Sequence, residues 1–219
     1  MIAPSILSAD FSCLGSEIAE VERAGAKLLH VDVMDGNFVP NLTIGPMVVE
    51  SLRAKTNLIL DCHLMVNEPE KMIPWFAEAG ADWITFHDEA AANAEMLIDQ
   101  IHALGKKAGI SIKPSSPIES MEPILSKLDL VLVMSVEPGF SGQKFMPSAL
   151  QKVRWLARQK KEKNLSFLIS IDGGINLNTI VDAKQAGAEI FVAGSAVFGA
   201  KDRAHAFQQL EKAVEKVTE

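Results

Sequence analysis

Four ionisable side chains interrupt or end apolar runs in this sequence, where such groups are costly to bury. His30 and Asp32 stand two residues apart in "LLHVDVMDGNFVPN", His63 lies in "LDCHLMV", and Asp172 lies in "LISIDGGI". A buried carboxylate is tolerated only with a partner charge, a metal or a chemical role. Two imidazoles and two carboxylates can together ligate a divalent ion such as zinc, iron or manganese. A single buried histidine is more often a hydrogen-bonded structural residue, so the metal hypothesis requires that the four side chains converge.

The segments that hold these residues follow a repeated pattern of helix end and strand. It occurs in "AGAKLLHVDV" (24–33), "AGADWITFH" (79–87) and "AGAEIFVAG" (186–194), and in a related form in "LGKKAGISI" (104–112). Glycine just past a helix supplies the left-handed residue that ends it, and the following apolar run suits a strand covered on both faces. Similar apolar runs at 2–7, 57–64, 128–134 and 167–171 bring the predicted strands to eight.

Helical patterns occupy the segments between the strands. Apolar residues recur there at steps of three and four, as a helix facing a sheet requires. Examples are Leu14, Ile18 and Val21 near the start of the chain, and Phe207, Leu210, Val214 and Val217 near its end. Eight alternations within 219 residues favour an α/β protein with a closed parallel (β/α)8 TIM barrel as a single domain over residues 1–219. An open doubly wound sheet is the alternative.

The amino-acid composition indicates which binding partners and which cellular compartment to expect. The chain has 21 Lys and Arg against 28 Asp and Glu, a formal charge of -7 that disfavours nucleic acid and anionic membranes as partners. Its two cysteines are too few for a disulfide framework, and "MIAPSILSADF" lacks the features of a signal peptide. No apolar stretch approaches the roughly 20 residues of a membrane span. We therefore expect a cytoplasmic protein.

The barrel prediction places the four ionisable residues together. Catalytic residues of such barrels lie where the strands end and the loops toward the helices begin. His30 and Asp32 fall at the end of the second predicted strand, His63 at the end of the third, and Asp172 at the end of the seventh. Convergence on one rim favours a metal site over four unrelated structural residues.

Glycine-rich loops follow the last three predicted strands. They are "VEPGFSGQKF" (136–145), "DGGI" (172–175) and "AGSAVF" (193–198). Loops after the seventh and eighth strands of a barrel, with a helix N-terminus, often bind phosphate through backbone N–H groups and need no cluster of Lys or Arg. The alternative is that these glycines only form tight turns.

The sequence resembles the ribulose-phosphate 3-epimerase family along nearly its whole length. The resemblance rests on "APSILSADF", "HVDVMDGNFVPN", "DCHLMV", "VMSVEPGFSGQKF", "DGGI" and "VAGSAVF", which occur in this order. It implies a barrel enzyme of the pentose phosphate pathway that interconverts D-ribulose 5-phosphate and D-xylulose 5-phosphate. It also implies one divalent metal ion, which could be zinc, iron, manganese or cobalt, and a small-molecule sugar phosphate as the partner. We expect a homo-oligomer.

The resemblance also implies roles for individual residues. His30, Asp32, His63 and Asp172 would be the metal ligands, and Asp32 and Asp172 would also accept and donate the proton. The implied substrate-binding residues are Ser5, His63, Gly139, Phe140, Ser141, Gly142, Gly173, Gly174, Gly194 and Ser195, and the implied pocket-lining residues are Met34, Met65 and Met134. For the methionines, filling of the core is the alternative.

Other functions are compatible with parts of this pattern. The substrate could be another ketose phosphate such as D-allulose 6-phosphate. A metal-independent decarboxylase on a similar barrel would need alternating aspartate and lysine, but "DVMD" has Met34 in place of the lysine. A non-catalytic sugar-phosphate-binding barrel could keep the glycine loops and lose the metal, yet all four ligand positions are filled.

Overall fold

Strands and helices alternate along the chain in the computed structural model, which describes residues 1–217. The strands are β1 (Ile2–Pro4), β2 (Leu28–Met34), β3 (Ile59–Met65), β4 (Trp83–His87), β5 (Lys107–Ile112), β6 (Leu130–Met134), β7 (Leu168–Asp172) and β8 (Ile190–Ala193). The α-helices are α1 (Leu14–Ala24), α2 (Pro46–Arg53), α3 (Pro69–Glu78), α4 (Ala94–Ala103), α5 (Ala149–Glu162), α6 (Thr179–Ala186), α7 (Ser195–Phe198) and α8 (Arg203–Glu215). The span predicted for the domain, 1–219, includes residues 218 and 219, which lie outside the described residues.

The strands form one parallel sheet in the order β1-β8-β7-β6-β5-β4-β3-β2. A parallel bridge between Ser5 and His30 joins the region after β1 to β2, so the sheet closes on itself. The predicted (β/α)8 barrel is therefore confirmed, and the open sheet is not what the chain forms. In the β2–β3 register, His30 lies opposite Asp61 and Asp32 lies opposite His63.

Glycines end two of the helices as the sequence pattern predicted. Gly25 follows α1 with φ of 116°, and Gly187 follows α6 with φ of 111°. Both are in the left-handed region that side chains disfavour, so each helix stops and the next strand can begin. The charged run at 158–164 includes the end of α5, where Lys161 and Glu162 are exposed, as expected of a solvated helix end.

The connection between β5 and β6 differs from the predicted helical pattern. Residues Ile118–Lys127 form a 3₁₀ helix, with Pro123 inside it. Proline has no backbone N–H and clashes with the carbonyl four residues earlier, so this segment cannot complete an α-helical hydrogen-bond ladder. Within residues 1–217, no helix is long and apolar enough to cross a membrane.

The barrel interior changes from apolar to ionisable along β2, β3 and β4. Leu28 and Trp83, at the start of β2 and β4, belong to an apolar cluster with residues of β6 and β8. Side chains two residues apart share a face of a strand, so His30 and Asp32 follow Leu28 on the inner face of β2. Buried polar residues of the neighbouring strands include Asp61, His63, Thr85 and His87. The apolar layer closes one end of the barrel, and the polar layer approaches the carboxyl ends of the strands.

Candidate active site

A cavity opens at the carboxyl ends of the strands and is lined by most of the predicted site residues. These are Ser5, Asp32, Met34, Met65, Met134, Gly139, Phe140, Ser141, Gly142, Asp172, Gly173, Gly174, Gly194 and Ser195. Leu7, Ser8, Val136, Pro138, Gln143, Ile175 and Val192 also line it and were not predicted. His63 was predicted as a ligand and a substrate contact, but it is fully buried and is not among the described residues that line the cavity.

The four predicted metal ligands converge on one point. His30 Nε2 lies 3.2 Å from His63 Nδ1. Asp32 Oδ1 lies 3.4 Å from each of these two nitrogen atoms. When Asp172 is included, one ligand atom from each of the four residues lies within 4.8 Å of all the others. The strand ends that the sequence placed on one rim thus bring two nitrogen and two oxygen donors together.

The two aspartates of the cluster differ in their affinity for a proton. Burial alone would raise the pKa of Asp32, but His30 and His63 outweigh it and hold that pKa well below its usual range. Burial and the charge of Asp32 raise the pKa of Asp172 from 3.8 to about 7. Burial alone would lower the pKa of His30, but Asp32 and Asp61 hold it well above 6.5. Opposite shifts in a pair of carboxyl groups are typical of an acid and a base that work together.

The cluster fits a divalent cation by its chemistry as well as by its distances. Two buried carboxylates, Asp32 and Asp61, and the half-buried Asp172 lie near two histidines, and the charge of Asp32 adds to burial in raising the pKa of Asp172. A divalent ion would relieve this repulsion and would accept both imidazole nitrogen and carboxylate oxygen as ligands. His30, Asp32, His63 and Asp172 would hold it.

Asp61 supports the cluster and was not predicted. Its Oδ2 atom lies 2.9 Å from His30 Nδ1, and its Oδ1 atom accepts a hydrogen bond from Thr85. An ionised carboxylate only accepts, so Asp61 fixes the proton of His30 on Nδ1 and leaves Nε2 free to bind a metal. Asp61 could have been predicted from the alternation of side chains along a strand. It precedes His63 by two residues and therefore shares the same face of β3. Thr85 in turn needs Gly109, where a Cβ atom would lie 2.2 Å from Thr85 Oγ1.

His87 is a second missed residue of the site. Its Nε2 atom lies 2.9 Å from His63 Nε2, and the two rings stack with centroids 4.9 Å apart. Its Nδ1 atom lies 3.1 Å from Glu89 Oε2. Burial lowers the pKa of His87 to about 4, so the ring is neutral at pH 7. His87 ends β4, and the rule that placed the other residues at strand ends would have found it.

The glycines of the β7 loop are required by the backbone itself. Gly173 has φ of 115°, and a Cβ atom there would lie 2.5 Å from a side-chain atom of Val136. Gly174 has φ of 65°, and its Cβ atom would lie 2.5 Å from the backbone nitrogen of Phe145. These contacts agree with the alternative interpretation that the glycines form tight turns. The loop also faces the cavity beside Gly194 and Ser195. A role in phosphate binding therefore stays a prediction.

Other predicted residues take defined places. Met34, Met65 and Met134 are buried and also line the cavity, so they fill part of the core and form part of the cavity wall. Ser5 donates a hydrogen bond of 2.5 Å to Asp32 Oδ2. Asp35 accepts hydrogen bonds from the backbone nitrogen atoms of Asn37, Phe38 and Asn67, which makes it a loop-capping residue.

The shifted pKa values predict how pH affects the stability of metal-free protein. Asp172 keeps its proton up to about pH 7 when folded but loses it near 3.8 when unfolded, and the pKa of His30 is raised above 6.5. Both groups bind more protons in the folded state, so the stability they contribute is lost as pH rises. We expect the free energy of unfolding of chelator-treated protein to fall between about pH 6.5 and 8, measured by urea unfolding.

The proposed ion supplies the control for this experiment. Saturating zinc or manganese should reduce the fall, because the cation takes the place of the proton on His30. Burial lowers the pKa values of His63 and His87, so their own titration affects stability below about pH 6.5. The pH range of the expected fall in the free energy of unfolding therefore starts at about pH 6.5. A flat curve for the metal-free protein would contradict the assigned charges.

The fold and the buried cluster define a (β/α)8-barrel enzyme with a candidate divalent-metal centre at the carboxyl ends of its strands. A family model described as the ribulose-phosphate 3 epimerase family matches residues 1–198. The chain belongs to the ribulose-phosphate 3-epimerase family, whose members depend on a divalent metal.

Individual relatives agree with this assignment. A ribulose-phosphate 3-epimerase of Mycobacterium bovis is 54% identical over 212 residues, which cover 97% of this chain and 92% of that protein. One from Bacillus subtilis is 49% identical over 210 residues, covering 95% of this chain and 97% of that protein. The solved structure of a 3-keto-L-gulonate-6-phosphate decarboxylase from Vibrio cholerae has a TM-score of 0.74 at 19% identity, covering 99% of this chain and 98% of that chain. This last similarity shows the shared fold.

Proposed function

We propose that the protein inverts carbon 3 of D-ribulose 5-phosphate to give D-xylulose 5-phosphate, and catalyses the reverse reaction. The observation that carries this proposal is the pair Asp32 and Asp172, which share one cavity but have pKa values shifted in opposite directions. Inversion beside a ketone needs a base on one face of the carbon and an acid on the other. The family membership and the names of the relatives support the same reaction.

The proposed proton transfers use these two carboxyl groups directly. Asp32, which is ionised, removes the proton from carbon 3, and the electron pair of the broken C–H bond moves toward the ketone oxygen. Asp172, which is protonated, then returns a proton to carbon 3 on the opposite face. Ser5 restrains Asp32 through its hydrogen bond to Oδ2. In the reverse direction the two aspartates exchange roles.

The surroundings of the carboxyl groups suit this chemistry. A divalent ion held by His30, Asp32, His63 and Asp172 would stabilise the negative charge that develops on the substrate oxygen atoms. Met34, Met65 and Met134 line the cavity as an apolar, unreactive wall beside these carboxyl groups. Met34 also stands where a decarboxylase of this fold would need lysine, which disfavours that reaction.

A direct assay separates this proposal from the closest alternative. Metal-analysed protein should be given D-ribulose 5-phosphate and D-allulose 6-phosphate in parallel coupled assays. We expect kcat/KM to be higher for the pentose phosphate. Preference for the hexose phosphate would reassign the substrate, and no turnover of either would favour a non-catalytic sugar-phosphate-binding barrel. Cytoplasmic location and homo-oligomeric assembly remain predictions from the sequence.

The phosphate group should contribute to turnover as well as to binding. The proposed phosphate loops lie on the β6–β8 side of the cavity, and their contacts would hold carbon 3 against the two carboxyl groups. We expect ribulose to have kcat/KM at least about 100-fold below that of ribulose 5-phosphate, because misplacement of a reacting centre by about 1 Å can cost this much. Equal kcat/KM values would contradict a phosphate-binding role for these loops.

A glycine variant tests the same loops from the protein side. Gly173→Ala should reduce kcat/KM for ribulose 5-phosphate while the metal content stays unchanged, because an added Cβ atom would displace the loop from Val136. Gly15→Ala is the matched control. Gly15 lies in α1, its Cβ atom would meet nothing within 4 Å, and activity should not change.

A further inference from the structure

A chain of three side chains leads from the metal cluster to the loops after β4 and β5. His63 contacts His87 through their Nε2 atoms at 2.9 Å, and His87 Nδ1 lies 3.1 Å from Glu89 Oε2. The two histidines are completely buried. The proton-transfer scheme above uses neither His87 nor Glu89. Their geometry nonetheless determines which nitrogen of His63 can bind an ion.

The direction of these hydrogen bonds is fixed from the Glu89 end. Glu89 Oε1 accepts hydrogen bonds from the backbone nitrogen of Lys113, at 2.8 Å, and from the Ser116 hydroxyl group. Its other oxygen, Oε2, faces His87. An ionised carboxylate can only accept, so His87 must carry its proton on Nδ1. A neutral imidazole has one N–H group, which leaves His87 Nε2 as an acceptor.

The direction of the hydrogen bond between His87 and His63 follows from this assignment. With His87 Nε2 as the acceptor, His63 must donate through its own Nε2 atom. His63 Nδ1 therefore carries a lone pair, and this is the atom that lies 3.2 Å from His30 Nε2 and 3.4 Å from Asp32 Oδ1. The chain Glu89, His87, His63 orients a lone pair into the cluster. Asp61 does the same for His30 without an intervening ring.

We propose that His87 and Glu89 are positioning residues that fix His63 in the tautomer with its proton on Nε2 and thereby set the affinity of the metal centre. The proposal rests on the metal centre of the proposed function. Phe38 packs over His87 with ring centroids 4.7 Å apart, and Lys113 Nζ lies 3.9 Å from the Phe38 centroid. This cover excludes water, which could otherwise replace His87 as the acceptor.

Substitutions at His87 separate the hydrogen bond from packing. His87→Phe keeps an aromatic ring against His63 and Phe38 but removes both nitrogen atoms. His87→Gln can place its amide oxygen near the former Nε2 position and accept from His63. In Glu89→Gln one acceptor oxygen must serve both His87 and the β5 loop, so the restraint weakens while the shape is kept. His102→Phe is the matched control, because His102 also pairs with a carboxylate, Asp129, at 2.8 Å, outside the site.

Two measurements on each variant test the proposal. Zinc affinity is measured by competition with a chromophoric chelator, and the tautomer of His63 by ¹⁵N NMR of the zinc-loaded and metal-free protein. We expect His87→Phe to weaken zinc binding by about 10–100-fold, the usual effect of losing a group that orients a ligand, and to populate both tautomers in metal-free protein. His87→Gln should restore most of the affinity, Glu89→Gln should show a smaller loss, and His102→Phe should match wild type.

The outcomes distinguish this proposal from the one on which it rests. Wild-type protein that binds no zinc at the cluster would overturn the metal centre of the proposed function. Wild-type protein that binds zinc, with folded His87→Phe showing the same affinity and tautomer, would overturn only the positioning role. If His87→Phe does not fold, Glu89→Gln decides, and unchanged affinity and tautomer in that variant would overturn the proposal.

Discussion

Replacing Asp172 or Asp32 by asparagine should lower kcat for epimerisation by about 10³-fold or more, because each change removes one of two proton-transfer groups. Asparagine has nearly the same shape as aspartate and keeps one oxygen that can ligate a metal. Loss of turnover with retained metal would therefore report on proton transfer. Activity and metal content must be measured on the same preparation, since a variant that has lost its ion cannot test the carboxyl group.

Hydrogen exchange with deuterium oxide gives the sharper measurement. When one carboxyl group is removed, the other can still take and return the proton on its own face of carbon 3. We expect each metal-loaded variant to exchange the carbon-bound hydrogen of one epimer, with opposite epimers preferred by Asp32→Asn and Asp172→Asn. Exchange of the same epimer by both variants would place the two groups on one face. Near wild-type epimerisation by either variant would falsify the two-carboxylate mechanism.

Asp35→Asn is the matched control for these variants. Asp35 follows Asp32 by three residues, but it binds backbone N–H groups of its own loop and of Asn67. We expect this variant to lose some stability and to keep kcat unchanged. A large loss of kcat in Asp35→Asn would show that loop distortion near β2 is enough to stop the reaction.

Removal of the ion should lower kcat by at least about 10²–10³-fold, the effect seen when a single oxyanion-stabilising group is lost from an enzyme. Chelation followed by gel filtration gives the metal-free sample. Zinc, manganese, cobalt or ferrous iron should restore activity, because each accepts mixed imidazole and carboxylate ligands. Full turnover by a demonstrably metal-free sample would exclude the site as assigned here.

His63→Ala links that prediction to one ligand. Loss of His63 leaves three donor side chains, so both metal content and kcat should fall, and excess metal should restore part of the rate. A variant with lower stability but normal metal content and rate would instead make His63 a structural histidine, the alternative that a single buried histidine always leaves open.

The residues that the sequence predicted best were those whose placement depends on strand periodicity alone. Asp32 and Asp172 could be assigned to one rim because parallel strands in a barrel end at the same edge. The eight strands were predicted for a similar reason, since buried parallel strands are short, apolar and separated by helices. Helix ends at Gly25 and Gly187 followed from the conformational freedom of glycine.

The supporting residues depended on side-chain contacts between strands, which sequence spacing alone does not give. Asp61 and His87 could have been found by the alternation and strand-end rules, but their pairing with His30 and His63 needed the strand register. Glu89 could not have been found, because a 3₁₀ turn at Asp88–Ala90 brings its carboxylate back toward β4. The need for glycine at position 109 likewise becomes clear only when the neighbouring strand places Thr85 beside it.

The pairing of β1 with β8 joins the two ends of the chain. The barrel can therefore close only late during synthesis of the chain. β1 ends at Pro4, but its partner begins at Ile190. A ribosome that adds 5–20 residues per second needs roughly 10–40 s to travel between them. Asp172 is also added late, after more than three quarters of the 219 residues. The complete set of four ligands therefore first exists when less than a quarter of the chain remains to be added, and we expect an ion to be captured only after that point.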